Sequence, residues 1–407
     1  MPAPALPATA LTPAAAAPPA AAPAAPPVLA GLAALAVGHL AVDCFTAIWP
    51  VYKTIAGLDL ARAGLIATAA GVLGSSLQVV FGLLADRGWA KPLLLGGVVL
   101  AGAVALVPYA SSYGVLFALA AATSIGSAAF HPTGTGAAGA LSRRSTGVFV
   151  ALFLVGGYAG YGLSQLLFTA VYRATGGATA VLLPIGVIAA LAIARFVPAR
   201  TARPIPLAAW AQGVRAAAGR LSVLFAIQVF AAAVSTSLIF LLPDLLQAHA
   251  APRWMVEGGG HLALVCGACL ALVPAGHASD RLGARRVLLF ANVGAGVALL
   301  LVLRPGTSPA LLLPLVWVFG AFNGCNSVVA IAEGSRIMPG QTSGVSALLM
   351  GLPWCFSAAT PVIAGSLADP AHGGTPAGAL RWLALCVPVT LTLCLRLPRA
   401  ARERAAH

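Results

Sequence analysis

GLLADRGWAK, residues 82–91, and GHASDRLGARR, residues 276–286, are two versions of one charged turn in a chain that is otherwise oil. Each joins two long apolar runs through one carboxylate, glycine and basic residues. Asp280 follows Asp86 by 194 positions, Gly320 follows Gly126 by the same 194, and Pro243 follows Pro50 by 193. An offset of 194, or within one residue of it, recurring at three points reads as a duplicated unit, of the kind whose two copies enclose a cavity near the middle of a membrane.

Away from these turns the 407 residues are 60% hydrophobic and 8% charged, with a mean hydropathy of +0.96. Soluble domains carry roughly 25% charged residues, so a water-soluble fold of this length would have no surface to show. The net charge of +14, from 23 Lys+Arg against 9 Asp+Glu, would suggest a nucleic-acid partner in a soluble protein. Here the charges lie between apolar runs and set topology, so the expected partner is the lipid bilayer and no nucleic acid. Seven cysteines, Cys44, Cys266, Cys269, Cys325, Cys355, Cys386 and Cys394, all fall within apolar runs, which argues against a disulfide framework. Cys266-Gly-Ala-Cys269 has metal-like spacing without a second pair or a histidine ladder. Neither metal nor cofactor is expected, and the thiols read as small packing groups. Residues 1–27 are almost entirely Ala and Pro without a positive charge. Their proline density forbids a helix, so they read as a disordered, partly polyproline tail.

A bilayer-spanning helix needs about 20 mostly apolar residues. Twelve such runs are present, at 28–52, 60–85, 92–110, 113–140, 145–172, 178–197, 221–247, 257–279, 286–303, 309–333, 341–368 and 379–397. An even number places both termini on one side, and basic residues choose the side. Of the 23 Lys+Arg, 17 fall on the terminal side and 6 on the other, which predicts cytoplasmic termini in a bacterial inner membrane. The longest polar connector, 198–220, carries Arg200, Arg203, Arg215 and Arg220 with Pro204 and Pro206. It divides an N-terminal bundle, 28–197, from a C-terminal bundle, 221–397, and residues 398–407 form a second tail. The expected fold class is an all-α membrane protein, with twelve transmembrane helices in two pseudo-symmetric six-helix bundles.

The two turns resemble the loop between the second and third helices that marks the major facilitator superfamily. With the twelve spans and the duplication, the resemblance covers residues 28–397. It implies a secondary transporter working by alternating access, and the chain is expected to act as a monomer. Gly82 and Gly276 let two helices approach closely in lipid. Asp86 and Asp280 end their helices where a carboxylate can face the positive N-terminus of a neighbour. The family implies that this contact, with Arg87 and Arg281 beside it, latches the cytoplasmic side in one conformation and breaks in the other. The alternative is a basic loop that only sets topology. In the first copy Gly88 stands one place early and Lys91 alone remains of the basic pair, so its latch is expected to be the weaker. A narrower resemblance lies in His39-Leu-Ala-Val-Asp43, Gly126-Ser-Ala-Ala-Phe130-His131-Pro132 and Gly156-Gly157-Tyr158-Ala-Gly160. These are similar to the fosmidomycin-resistance branch of drug-exporting facilitators, which implies export of a small organic compound.

Ionisable residues inside spans are costly and default to function. Away from helix ends these are His39 and Asp43 in the first span and His131 in the fourth. Spaced i, i+4, His39 and Asp43 share one helical face. A carboxylate beside an imidazole suits a proton carrier near neutral pH. The alternative is a packing polar pair, with His39 bonded to a backbone carbonyl. Tyr158, Tyr161 and Gln165 in the fifth span, Asn323 and Asn326 in the tenth and Trp354 in the eleventh are candidates to line a substrate cavity, packing being the alternative for each. The fifth span is glycine-rich in the manner of the antiporter helix of exporting facilitators, but lacks the proline typical of that motif. No Lys or Arg sits mid-span, so an anionic substrate would need protonated His39 or His131, or a helix N-terminus. No Walker loop, HExxH or nucleophile elbow is present, which disfavours ATP-driven transport and an enzyme. The expected activity is proton-coupled export, by antiport, of a small organic compound. Alternatives are export of a metallophore or other secreted metabolite, and proton symport taking up a small metabolite.

Overall fold

The computed structural model describes residues 28–142, 146–198, 207–338, 345 and 347–398. Among them the regular structure is entirely helical. The spans are α1 (Val28–Ile55), α2 (Leu60–Leu84), α3 (90–109), α4 (Tyr113–Leu141), α5 (Thr146–Ala174), α6 (Thr179–Phe196), α7 (Ala218–Ala248), α8 (Met255–Leu282), α9 (Ala284–Val302), α10 (Pro309–Ile337), α11 (Leu348–Ala368) and α12 (Pro376–Arg396). By length and apolarity alone α2 and α3 form one run, Leu60–Tyr109, of 50 residues. At about 1.5 Å per residue a straight helix of that length would be roughly 75 Å long, more than twice the ~30 Å hydrocarbon core. Gly88, at φ 98°, breaks it inside the first charged turn. Two spans result, and the total is twelve.

The structure accounts for the displaced glycine of the first turn. Gly88 and Gly283 (φ 84°) are the left-handed positions inside the two charged turns, a conformation open to glycine at little cost. The first lies two residues after Asp86 and the second three after Asp280. The first turn is thus one residue tighter.

Each half packs through small residues. In the first half α1 lies along α5 and α2 along α4; in the second α8 and α9 lie along α10. Gly156 and Gly160 of α5 face the backbone carbonyls of Ala36 and Leu40 on α1 so closely that neither site has room for a Cβ. Close approach of this kind supplies van der Waals attraction where lipid offers no hydrophobic drive. The halves meet along two main seams, α2 with α11 and α5 with α8, and where the end of α1 meets α7. In the repeat α2 corresponds to α8 and α5 to α11, so the seams exchange under the pseudo-twofold. Large apolar side chains such as Val273, Phe290, Leu191 and Ile188 are exposed on the outside. Such a surface suits lipid and would fail in water.

The described part of the connector from Leu207 onward is helical. A helix, Leu207–Ala216, follows Pro206, with Arg215 in its last turn, and α7 begins at Ala218. The expected tails at 1–27 and 398–407, apart from Pro398, lie outside the described residues, as do Arg143, Arg144, Arg200 and Arg203.

Candidate functional site

Both described ends, Val28 and Pro398, lie at one face of the bundle, here called the terminal face; the other is the far face. His39 and Asp43 flank the midpoint of α1, one turn apart. His131 lies about four residues, or roughly 6 Å, to the terminal side of the midpoint of α4. Helix packing brings all three together. His39 Nε2 lies 3.2 Å from Asp43 Oδ2, and His131 Nε2 lies 3.1 Å from Asp43 Oδ1. The His39 ring stacks on Phe153 of α5 at 4.1 Å between centroids and meets the edge of the His131 ring at 4.9 Å. His39 is 3% exposed, while the side chain of His131 is 30% exposed.

The far sides of the two rings fix their tautomers. His39 Nδ1 lies 2.8 Å from the Phe153 carbonyl, and His131 Nδ1 lies 2.8 Å from the Ser127 carbonyl, with Ser127 Oγ at 3.0 Å. A carbonyl oxygen only accepts, so each Nδ1 carries a hydrogen and donates it. Each Nε2 then faces a carboxylate oxygen, and either contact is a hydrogen bond only when a proton lies between the two atoms. With both bridges filled the cluster has charge +1, with one it is neutral, and with none it is −1. The geometry thus offers two proton positions, both on one carboxylate. His39 bonds a backbone carbonyl, as the packing alternative expects, and that bond aims its other nitrogen at Asp43.

The floor of the cluster is Gly157. A Cβ there would strike the His39 imidazole and come within 2.8 Å of Asp43 Oδ2. In the first half, then, α5 supplies three glycines with one purpose: Gly156 and Gly160 bring α1 in, and Gly157 leaves space for its two polar side chains.

The other expected site residues are placed as follows. Tyr158 and Tyr161 are partly buried on α5; Asp43 is an ionisable neighbour of both, and Cys269 of α8 a neighbour of Tyr158. Gln165 is 1% exposed on α5, which packs along α8, and its side-chain atoms have no hydrogen-bond partner. Asn326 is buried against Asn292 of α9, whose Nδ2 donates to Asn326 Oδ1 at 2.7 Å, and so ties two helices of one half together. Asn323 accepts a bond from Asn326 through its carbonyl (3.1 Å). Trp354, on α11, is exposed. The Tyr161 ring meets that of His261 of α8 at 4.8 Å between centroids, and Asn326 has its partner elsewhere.

At the terminal face the two charged turns differ. Asp280 pairs with Arg336 of α10, whose other nitrogen holds Glu333 at 2.9 Å. The positions 194 earlier than Glu333 and Arg336 are Gly139 and Ser142. Asp86 and Arg87 are exposed, and Asp86 takes no partner among the described residues. Gly82 faces Pro132 of α4 and Gly276 faces Val328 of α10, both at ordinary contact distance.

The sequence reading missed a charged cluster at the far face. Lys53 of α1 is fully buried, pairs with Asp244 of α7 and lies 4.6 Å over the Phe240 ring; Thr54 donates to Asp244 Oδ1 at 2.9 Å. On the α5–α8 seam Arg173 and Arg253 both hold Glu257, and Thr169 donates to the Glu257 carbonyl at 2.8 Å. Lys53–Asp244 and Arg173–Glu257 both cross between the halves, and the second lines a far-face cavity of about 320 Å³. Lys53 and Asp244 lie three residues and one residue beyond the repeat-related Pro50 and Pro243. That proximity was the signal available.

Two six-helix bundles, with an acid–base cluster inside the first, are the architecture of a membrane transporter. The chain matches the Major Facilitator Superfamily over residues 31–251 and belongs to that family. It is 30% identical over 147 residues to the fosmidomycin resistance protein of Escherichia coli (strain K12), a stretch that spans 33% of this chain and 35% of that relative. Among solved structures it resembles a variant of the nucleoside transporter NupG, with a TM-score of 0.72 and 12% identity, covering 90% of this chain and 99% of the other. It also resembles a bacterial homologue of the human lysosomal transporter Spinster in an inward-facing, unoccupied conformation. There the TM-score is 0.69, the identity 16%, and the coverage 90% and 94%.

Proposed function

We propose that the protein exports a small organic compound in exchange for protons, by alternating access, across a bacterial inner membrane with both termini in the cytoplasm. The observation that supports this reading best is the carboxylate of Asp43 held between two imidazole Nε2 atoms at the middle of the first bundle. Asp43 binds and releases the coupling proton, and His39 and His131 tune it and hand it on. Tyr158 and Tyr161, for which Asp43 is an ionisable neighbour, link proton binding to the substrate. Asn323 and Trp354 complete the cavity from the second half. Asp86 and Asp280 act in the terminal-face gate, the second through Arg336. Lys53–Asp244 and Arg173–Glu257 close the far face in this conformation. The E. coli relative is named for fosmidomycin resistance, which favours drug efflux over uptake. The one Lys that is fully buried, Lys53, is already engaged by Asp244, so a strongly anionic cargo would need protonated His39 or His131.

Purified protein in proteoliposomes tests the reading. Asp43→Asn is expected to abolish transport driven by a pH gradient while leaving the melting temperature within a few degrees of wild type. Unchanged transport would remove Asp43 from the mechanism. The sign of the pH gradient that moves substrate outward decides between antiport and proton symport.

A further inference from the structure

We propose that His39 Nε2, Asp43 and His131 Nε2 form a three-ligand site for a divalent transition-metal ion of the zinc class, whose binding excludes the coupling protons and arrests transport. The binding half of this proposal stands on geometry; the arrest rests on the proton-carrying reading above.

One ligand atom from each of the three side chains lies within 4.8 Å of the other two. Two ligands about 2.0–2.1 Å from a tetrahedral ion stand roughly 3.3 Å apart; His39 Nε2 lies 3.2 Å from Asp43 Oδ2 and His131 Nε2 lies 3.1 Å from Asp43 Oδ1, one imidazole at each carboxylate oxygen. With one carboxylate oxygen serving as the ligand, no pair of ligand atoms has more than about 1.5 Å to close to complete such a face. Both rings are already prepared for it. Each donates Nδ1–H to a backbone carbonyl, the outer hydrogen bond that fixes the tautomer and turns the Nε2 lone pair toward a metal. Two imidazoles and one carboxylate suit zinc, cobalt or nickel; calcium and magnesium prefer oxygen alone. The exposed part of His131 leaves a way in and a fourth position for water.

The charges balance. Two neutral imidazoles, one carboxylate and two bridging protons carry +1. Against that doubly bridged state, a divalent ion that enters as both protons leave keeps the cluster at +1 and so adds no net charge to the membrane interior, where charge is costly. Ion and protons occupy the same bridges and exclude one another.

Tag-free, full-length protein in detergent, titrated with Co²⁺ and then Zn²⁺, tests the site. The wild type is expected to bind one ion per chain with the intense visible bands of low-coordinate cobalt, bleached by an equal amount of Zn²⁺. Asp43→Asn and His131→Ala are each expected to weaken Zn²⁺ binding at least as much as the ~10–100-fold that losing an outer hydrogen-bond partner costs. His249→Ala and His372→Ala should leave it unchanged. A pale octahedral cobalt spectrum from the wild type overturns the site without recourse to any variant, as does Zn²⁺ affinity indifferent to Asp43→Asn. In proteoliposomes Zn²⁺ should stop pH-driven transport. Absence of Zn²⁺ binding with Asp43-dependent transport intact removes the metal site alone. Tight Zn²⁺ binding with transport indifferent to Asp43→Asn removes the proton reading alone.

Discussion

Gly157 is the residue on which the cluster depends without taking part in its chemistry. Alanine there would push a methyl group into the His39 ring and against Asp43 Oδ2, an overpacking that costs about 1–3 kcal/mol. Gly157→Ala is therefore expected to lower the melting temperature and to cut transport at least tenfold. Gly136→Ala, on α4 with nothing within 4 Å of the new methyl, should be neutral or stabilising, by up to ~1 kcal/mol of helix propensity. Equal effects of the two substitutions would show that space beneath His39 does not matter. The contrast also marks how far residues can be read from a chain. His39, Asp43 and His131 were legible because an ionisable group in an apolar run needs a reason. That both imidazoles share a single carboxylate was not, since it depends on how α1 and α4 rotate against each other. The glycines of α5 were legible as a motif, but only packing tells which one makes room for the histidine.

At the scale of elements, α1 and α7 are pinned at the far face by one buried pair. Lys53 is wholly inside and Asp244 nearly so, and removing one partner of a buried pair costs about 3–5 kcal/mol because the other charge is stranded. Lys53→Met is expected to destabilise the protein by that order. Adding Asp244→Leu should restore most of the loss, since an apolar pair of similar volume is often neutral or better. A double variant that melts no higher than Lys53→Met alone would mean that Lys53 matters by packing on Phe240. The sequence placed both residues near span ends, where a lysine usually serves topology and reaches water. What it lacked was the pairing across halves, 191 positions apart, which follows from tertiary assembly alone.

For the whole molecule, the twelve spans and the repeat were legible because apolar length and a fixed offset survive in sequence. The conformational state was not, because it resides in which face carries the contacts between halves. Lys53–Asp244 and Arg173–Glu257 join the halves at the far face, while the Asp280–Arg336 pair at the terminal face stays within one half. Alternating access requires the far-face pairs to part once in every cycle, since a cavity between two rigid halves opens to a face only when they separate there. Replacing the α5–α8 pair by a covalent bridge should therefore stop transport. In Arg173→Cys/Glu257→Cys protein, a short bifunctional, reducible thiol reagent is expected to abolish transport, and reductant to restore it. The seven native cysteines are free, so wild-type protein given the same reagent is the necessary control, and it should keep its activity. The thermal stability of the bridged protein should rise, because a bond that forms only in the closed far-face state adds to that state alone. Full transport by bridged protein would mean that the two halves do not separate along this seam, and the far-face pairs would then be static struts and not a gate.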